Sequence, residues 1–103
     1  MRASFTETVT FSDEKIREHI HYCSKRGWAL VIEHTTDPAP DNHFWERWGL
    51  PMLDPDDPDL VLFEIDACRQ AFPQHHIRIN ACESANGRAR VRHTVLVHVP
   101  GVS

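Results

Sequence analysis

Phe44-Trp45-Glu46-Arg47-Trp48-Gly49-Leu50-Pro51-Met52-Leu53 places two of the chain's three tryptophans three residues apart, with a phenylalanine before the first and Gly-Leu-Pro behind the second. Read with period two, the stretch is a strand that sends Phe44, Trp48 and Leu50 to one side and Trp45 and Arg47 to the other. Pro51 has no N–H to donate, so the strand lies at a sheet edge or ends there. A tryptophan buries roughly 150–250 Å², which a small domain needs for its core. Aromatic rings flanking an arginine are also the composition of a protein contact. The two indoles point to opposite faces, so one is expected in the core and the other against a partner.

Upstream, Thr35 to His43 contains Asp37-Pro38-Ala39-Pro40-Asp41-Asn42, whose prolines and Asx residues end a strand and build a loop. Before it, residues 28 to 34 (Trp28-Ala29-Leu30-Val31-Ile32-Glu33-His34) read as a strand with Trp28, Leu30 and Ile32 on its buried face. Ser12-Asp13-Glu14 supplies an N-cap hydroxyl and two first-turn acids, Ile16, Ile20 and Cys23 recur at helical spacing, and Gly27 gives the left-handed stop. Residues 1 to 11 carry Phe5, Val9 and Phe11 without a cap or helical period and read as an extended arm.

Downstream, Asp57 before Pro58 is an N-cap followed by proline at the first helical position. The helix runs to Phe72 with Val61, Ile65, Cys68 and Phe72 as its central stripe, widened by Leu62, Ala67 and Ala71, and Pro73 closes it. His76 to Cys82 alternates Ile77, Ile79 and Ala81 against Arg78 and Asn80, a third strand. Asn86-Gly87 signals a hairpin. A fourth strand runs from about Ala89 to Val99, with Val91, Val95, Val97 and Val99 on one face and Arg90, Arg92 and Thr94 on the other.

The order α-β-β-α-β-β predicts an α+β fold of two layers, a four-stranded antiparallel sheet with both helices on one face. The 103 residues, 41% hydrophobic, form a single domain, residues 1–103, with 1–11 as the arm. The other sheet face would carry Arg78, Asn80, Arg90 and Arg92, with His98 a further candidate. It meets either water or a partner.

A net charge of −4 opposes nucleic-acid binding, which needs a basic face to displace counterions. No apolar run approaches the roughly twenty residues of a membrane span, and Met1-Arg2-Ala3-Ser4-Phe5-Thr6 lacks the apolar stretch of a signal peptide. A cytoplasmic chain is expected. Cys23, Cys68 and Cys82 are odd in number and outside any C-x-x-C pattern, so they read as free thiols in a reducing compartment.

Eight histidines invite metal or acid–base chemistry. His19 and His21, two apart on a helix, point to different sides, His75 and His76 diverge, and His93 and His98 lie on opposite strand faces. No H-E-x-x-H, cysteine pair or D-x-D-x-D-G loop supplies metal-ligand spacing, and no G-x-S-x-G elbow or glycine-rich phosphate loop is present. Glu33 and Glu46 sit on adjacent strands, where pairing with Arg47 and Arg78 is the expected role. No catalytic, cofactor or metal residue is therefore assigned.

The motifs then carry a resemblance that periodicity alone does not name. Phe11-Ser12-Asp13-Glu14, Gly27-Trp28, Glu33, Asp37-Pro38-Ala39-Pro40, Trp45-Glu46-Arg47-Trp48-Gly49-Leu50-Pro51-Met52, Ala67-Cys68-Arg69, Ala71-Phe72-Pro73 and Ile77-Arg78-Ile79-Asn80-Ala81 occur in the order found in form I Rubisco small subunits. The chain resembles that family over nearly its whole length, and its shortness resembles bacterial members. The resemblance implies a non-catalytic subunit that, four to each end, caps an octamer of large subunits in an assembly of eight large and eight small chains. Neighbouring small subunits then surround a fourfold axis. It implies stabilisation of that octamer and modulation of carboxylation rate and CO2/O2 specificity in carbon fixation. Magnesium and the carbamylated lysine belong to the large subunits, so no cofactor is expected here. Neither membrane nor nucleic acid is a partner, and residence free in the cytoplasm or inside a carboxysome is left open.

By the same resemblance, the large-subunit contacts are Phe5 in the arm, Thr36, Asp37, Pro38 and Asn42 in the loop, Phe44, Trp45, Glu46, Arg47, Trp48, Gly49, Leu50 and Pro51 in the strand, and Arg78. The loop also faces the central channel. The chain departs from the usual pattern with Phe44 for Tyr, Arg47 for Met, His76 for Tyr and Cys82-Glu83 for Phe-Asp. Arg47 must find an acid or water, because burying it unpaired costs several kcal/mol. Two alternatives are an adaptor module of a carboxysome scaffold and a pterin-dehydratase-like acid–base enzyme using His75 or His76. The second lacks the His-His-Pro of those enzymes, since Ile77 follows the pair.

Overall fold

A computed structural model describes residues 10–53, 56–85 and 88–101. Phe5, the rest of the arm before Thr10, and the Asn86-Gly87 turn lie outside the described residues. Helix α1 spans Asp13–Lys25, strand β1 Ala29–Thr35, β2 Glu46–Met52, α2 Pro58–Ala71, β3 His76–Ala85 and β4 Arg88–His98. The strands form one antiparallel sheet in the order β2-β1-β3-β4, the α+β arrangement expected.

Local chemistry fixes both helices. The Ser12 side chain accepts from the Lys15 N–H at 3.2 Å. At the other end Gly27 adopts φ 71°, its N–H donates to the Ser24 carbonyl, and the Trp28 N–H donates to that of Cys23. This paired closure is the Schellman motif, available here because glycine has no Cβ to oppose a left-handed conformation. In α2 the Asp57 carboxylate accepts from the Asp59 N–H at 3.0 Å and Pro58 occupies the first turn.

The core is one cluster. Ile16, Ile20 and Cys23 of α1 and Val61, Leu62, Ile65 and Cys68 of α2 close over Leu30, Ile32, Ile77, Ile79, Ala81, Val95 and Val97 of the sheet and the adjoining Trp28. Phe11 joins its edge, with its N–H donating to the Leu96 carbonyl at 3.2 Å. Arg69 ties three elements together: its guanidinium donates to Asp66 at 2.6 Å, to Asp13 of α1 at 3.4 Å and to the Val97 carbonyl of β4 at 2.9 Å. All three cysteines are free, and burial pushes the Cys23 and Cys68 thiols up to about 11.

Two strands break the alternation expected of them. In β2 the register runs Ile32 to Trp48 but Leu30 to Met52, so Val31 alone of β1 faces Gly49, Leu50 and Pro51 of β2. Gly49, at φ 67°, begins this bulge. Trp48 and Met52 both turn to the core while Leu50 is thrown outward, 83% exposed. Phe44 precedes the strand and is 86% exposed, so neither it nor Leu50 shares the side of Trp48.

In β4, Ala81 pairs with His93 but Cys82 pairs with Val91, leaving Arg92 as an extra residue. The phase flips there. Val91 lies on the uncovered face and is exposed, whereas Arg90 opposes Glu83 and Arg92 ion-pairs with Glu83 near the Trp28 ring. A second shift puts His98 opposite Ile77, and its Nε2 lies 3.1 Å from the Pro73 carbonyl, on the helix side. The uncovered face therefore keeps Arg78, Asn80 and Thr94 but not Arg90, Arg92 or His98.

Candidate partner interface

The uncovered face is built around Glu33 in β1. Its register neighbours are Arg47 of β2 and Arg78 of β3. Glu33 Oε1 accepts from Arg78 Nε at 2.8 Å and from Asn80 Nδ2 at 2.7 Å, and Arg78 Nη2 lies 2.8 Å from the same oxygen. Asn80, buried at 6% exposure, accepts in turn from the Thr94 hydroxyl at 2.8 Å. The Arg78 guanidinium then lies over the Trp45 ring, 3.9 Å from its centroid. A stacked cation of this kind contributes about 0.5–1 kcal/mol at an exposed site. The chain Trp45–Arg78–Glu33–Asn80–Thr94 thus crosses all four strands' neighbourhood on one face, and Trp45 is held flat against the sheet, half-buried.

The opposite face of the same segment is different. Trp48 packs against the core and its Nε1–H donates to Glu64 Oε1 of α2 at 3.1 Å. Beside it His34 is buried at 3% exposure, with its ring stacked 4.2 Å from that of Phe72. His34 Nδ1 lies 2.9 Å from His75 Nδ1 and its Nε2 4.0 Å from Glu46 Oε2. Burial first, and the neighbouring His75 second, lower the pKa of His34. The period-two pattern of Trp28, Leu30 and Ile32 already extends to His34, a signal that the sequence reading did not use.

The loop from Thr35 to His43 is closed on itself. Asp37 N–H donates to Thr35 Oγ1 at 3.2 Å, Ala39 N–H to Asp37 Oδ1 at 3.1 Å, and Asn42 Nδ2 to both Thr35 Oγ1 and the Asp37 carbonyl. Asn42 Oδ1 accepts from the Phe44 N–H at 2.9 Å, which fixes the backbone where Phe44 projects into solvent. Thr36 and Asp37 are exposed, and Pro38 and Asn42 half-buried. In the strand Glu46, Arg47, Gly49 and Leu50 are exposed and Pro51 half-buried, so Arg47 meets its requirement for water.

No group of three or more His, Cys, Asp or Glu among the described residues is arranged to hold a metal ion. A groove of about 330 Å³ lies between α1 and β4, lined by Phe11, Lys15, Glu18, His19, Tyr22 and His93. Of the line Glu46, His34 and His75 only His34 is buried, stacked on Phe72, while Glu46 is exposed and His75 half-buried. The arrangement can present a rigid, mixed aromatic and charged surface. It defines an association domain, one whose helices close its own core while an edge strand, a tied loop and a networked sheet face remain available.

The comparisons with known proteins say which. The family model described as ribulose bisphosphate carboxylase, small chain, matches residues 3–100. The Rubisco small subunit of Cereibacter sphaeroides is 47% identical over 98 residues, covering 95% of this chain and 76% of that one. That of Sinorhizobium medicae is 44% identical over 96 residues, covering 93% and 74%. A chain of the Rubisco from Galdieria partita superposes with a TM-score of 0.83 at 38% identity, covering 89% of this chain and 67% of that chain. The chain belongs to the ribulose bisphosphate carboxylase small-chain family.

Proposed function

We propose that this chain is the small subunit of a ribulose bisphosphate carboxylase and docks on its large subunits through the loop after β1, the β2 segment and the uncovered sheet face. Family membership over residues 3–100 supports the role, and the Trp45–Arg78–Glu33 network carries the choice of surface. A bonded polar network anchored on the buried Asn80, on a face without helices, suits a partner that needs a fixed template. In this reading eight such chains join eight large subunits, four around each fourfold end. The large subunits hold the magnesium and the carbamylated lysine, and this chain supplies no group to the reacting atoms. It acts by restraining the large-subunit elements that it touches, and so modulates rate and CO2/O2 specificity. The cytoplasm is its proposed location, with carboxysome residence depending on the assembled complex.

Co-expression with the cognate large subunit, followed by mass measurement in solution, tests this. A complex with equal numbers of the two chains is expected. A chain that stays free beside a folded large-subunit octamer overturns the assignment.

A further inference from the structure

We propose that His34 and His75 form a one-proton dyad, which accepts a single proton at His75 with its ring-to-ring hydrogen bond intact, while a second proton, on His34, releases the loop after β1. The pair lies wholly within this chain, so its behaviour does not depend on a large subunit.

The two rings meet head-on. His34 Nδ1 and His75 Nδ1 are 2.9 Å apart and the ring centres 5.0 Å, so the nitrogens face each other close to the line of centres, as in an N–H···N bond. That line has no room for a metal ion, which needs about 2.0–2.1 Å to each nitrogen. One nitrogen therefore carries the proton of the bond and the other is bare. Glu46 decides which. Its Oε2 lies 4.0 Å from His34 Nε2 and draws the imidazole proton to that side, which leaves His34 Nδ1 as the acceptor. His75 Nδ1–H is then the donor, and His75 Nε2 is the nitrogen left free to take up a proton.

Solvation favours the same site. His34 is 3% exposed and stacked on Phe72, whereas His75 is half-buried, so an added charge is hydrated on His75 and not on His34. Burial first, and then His75, hold His34 neutral against the pull of Glu46. The other elements around the pair add no closer acid. From β3, Ile77 stands opposite His34 and His76 opposite Thr35, from β4 His98 lies against the Pro73 carbonyl, and Glu64 of α2 is engaged by the Trp48 indole. A proton on His75 Nε2 makes the existing bond charge-assisted. A further proton on His34 Nδ1 sets two N–H groups against each other, and the bond is lost.

The bond joins separate pieces of the fold. His75 sits in the turn after α2, its backbone N–H donating to the Phe72 carbonyl at 3.0 Å. His34 precedes Thr35, whose hydroxyl accepts from the Asp37 N–H and from Asn42 Nδ2. Displacing His34 therefore loosens the loop at its anchor.

Ring-nitrogen NMR of the 15N-labelled full chain, from about pH 8 to pH 5, tests the dyad. His34 is expected to keep Nε2 protonated and Nδ1 bare throughout the step in which His75 Nε2 gains its proton. The opposite tautomer, or His34 charging first, overturns the proposal. In His34→Gln, proton uptake by the folded chain over that step should be unchanged, and a loss of one proton per chain overturns it. Should that variant not fold, the spectrum of the unsubstituted chain decides. Hydrogen exchange tests the release: protection of the Asp37 amide should fall at least tenfold as His34 Nδ1 is protonated, while the amides of β3 stay protected. Protection lost with the first proton, kept after the second, or lost together with that of β3 overturns the release.

Discussion

Trp45 and Trp48 stand three residues apart on one segment and live in different chemistry. Trp48 turns toward the helices, joins the core and gives its indole N–H to Glu64. Trp45 turns away from them and is held from above by Arg78, whose own position is set by Glu33. The first ring is fixed by packing that the chain supplies to itself. The second is fixed by a polar network that leaves the surface ready for something else. Two sides of one segment thus meet different surroundings, and the proposed division between folding and association can be broken from either side.

The largest effect is expected at Trp48. Trp48→Ala removes a core aromatic and strands the Glu64 carboxylate, and should lower unfolding free energy by about 3 kcal/mol in urea titrations, near the low end for such truncations because the ring is only partly buried. Assembly is then expected to weaken only as far as the folded population falls. Next comes Glu33→Ala, which leaves Arg78 and the buried Asn80 without their acceptor and should cost about 2 kcal/mol. An unchanged urea midpoint would show that the network is decoration.

The pH dependence is smaller and reads the helix side. His34 is held neutral, with its folded pKa below the ordinary 6.5. The unfolded chain therefore takes up a proton more readily, so this contribution is complete above about pH 6.5 and is lost as pH falls below that value toward the folded pKa. His19, lowered by burial and by His93, acts in the same direction. Urea midpoints should fall between pH 7.5 and 5.5, and His34→Phe should flatten part of that fall; an equal slope in the variant would remove His34 as a source.

The smallest effect on folding, below about 1 kcal/mol, belongs to Trp45→Ala, which loses chiefly the stacked cation. That variant should nonetheless weaken association with the large subunit at least tenfold in a concentration-dependent assembly assay. If it assembles as well as the unsubstituted chain, the contrast between the two tryptophans carries no functional meaning.

The helices were legible in the sequence because their signals are local. Ser12, Gly27, Asp57, Pro58 and Pro73 act on backbone within a turn of themselves. The helix-covered face followed from apolar period and the edge position of β2 from Pro51, but the order β2-β1-β3-β4 could not be read from local pattern. The bulges did not, because a register shift exists only relative to a partner strand. Gly49 inside a strand was the visible hint, and it decides that Leu50 faces solvent. In β4 nothing local marks Arg92 as the extra residue, so Val91 was given to the wrong face. The interface residues were named by likeness to a family. That Trp45 is the one left outside needed the fold, as did the exposure of Leu60 and Phe63 on α2, which the stripe of Val61, Ile65, Cys68 and Phe72 leaves unassigned.

The loop closed by Thr35, Asp37 and Asn42 has a kinetic consequence. Its hydrogen bonds exist in the isolated chain, so the backbone bearing Phe44 is fixed without a partner. Binding then surrenders little further conformational freedom. The encounter with the large subunit should proceed in one bimolecular phase, its observed rate rising in proportion to concentration with no plateau from a slow rearrangement.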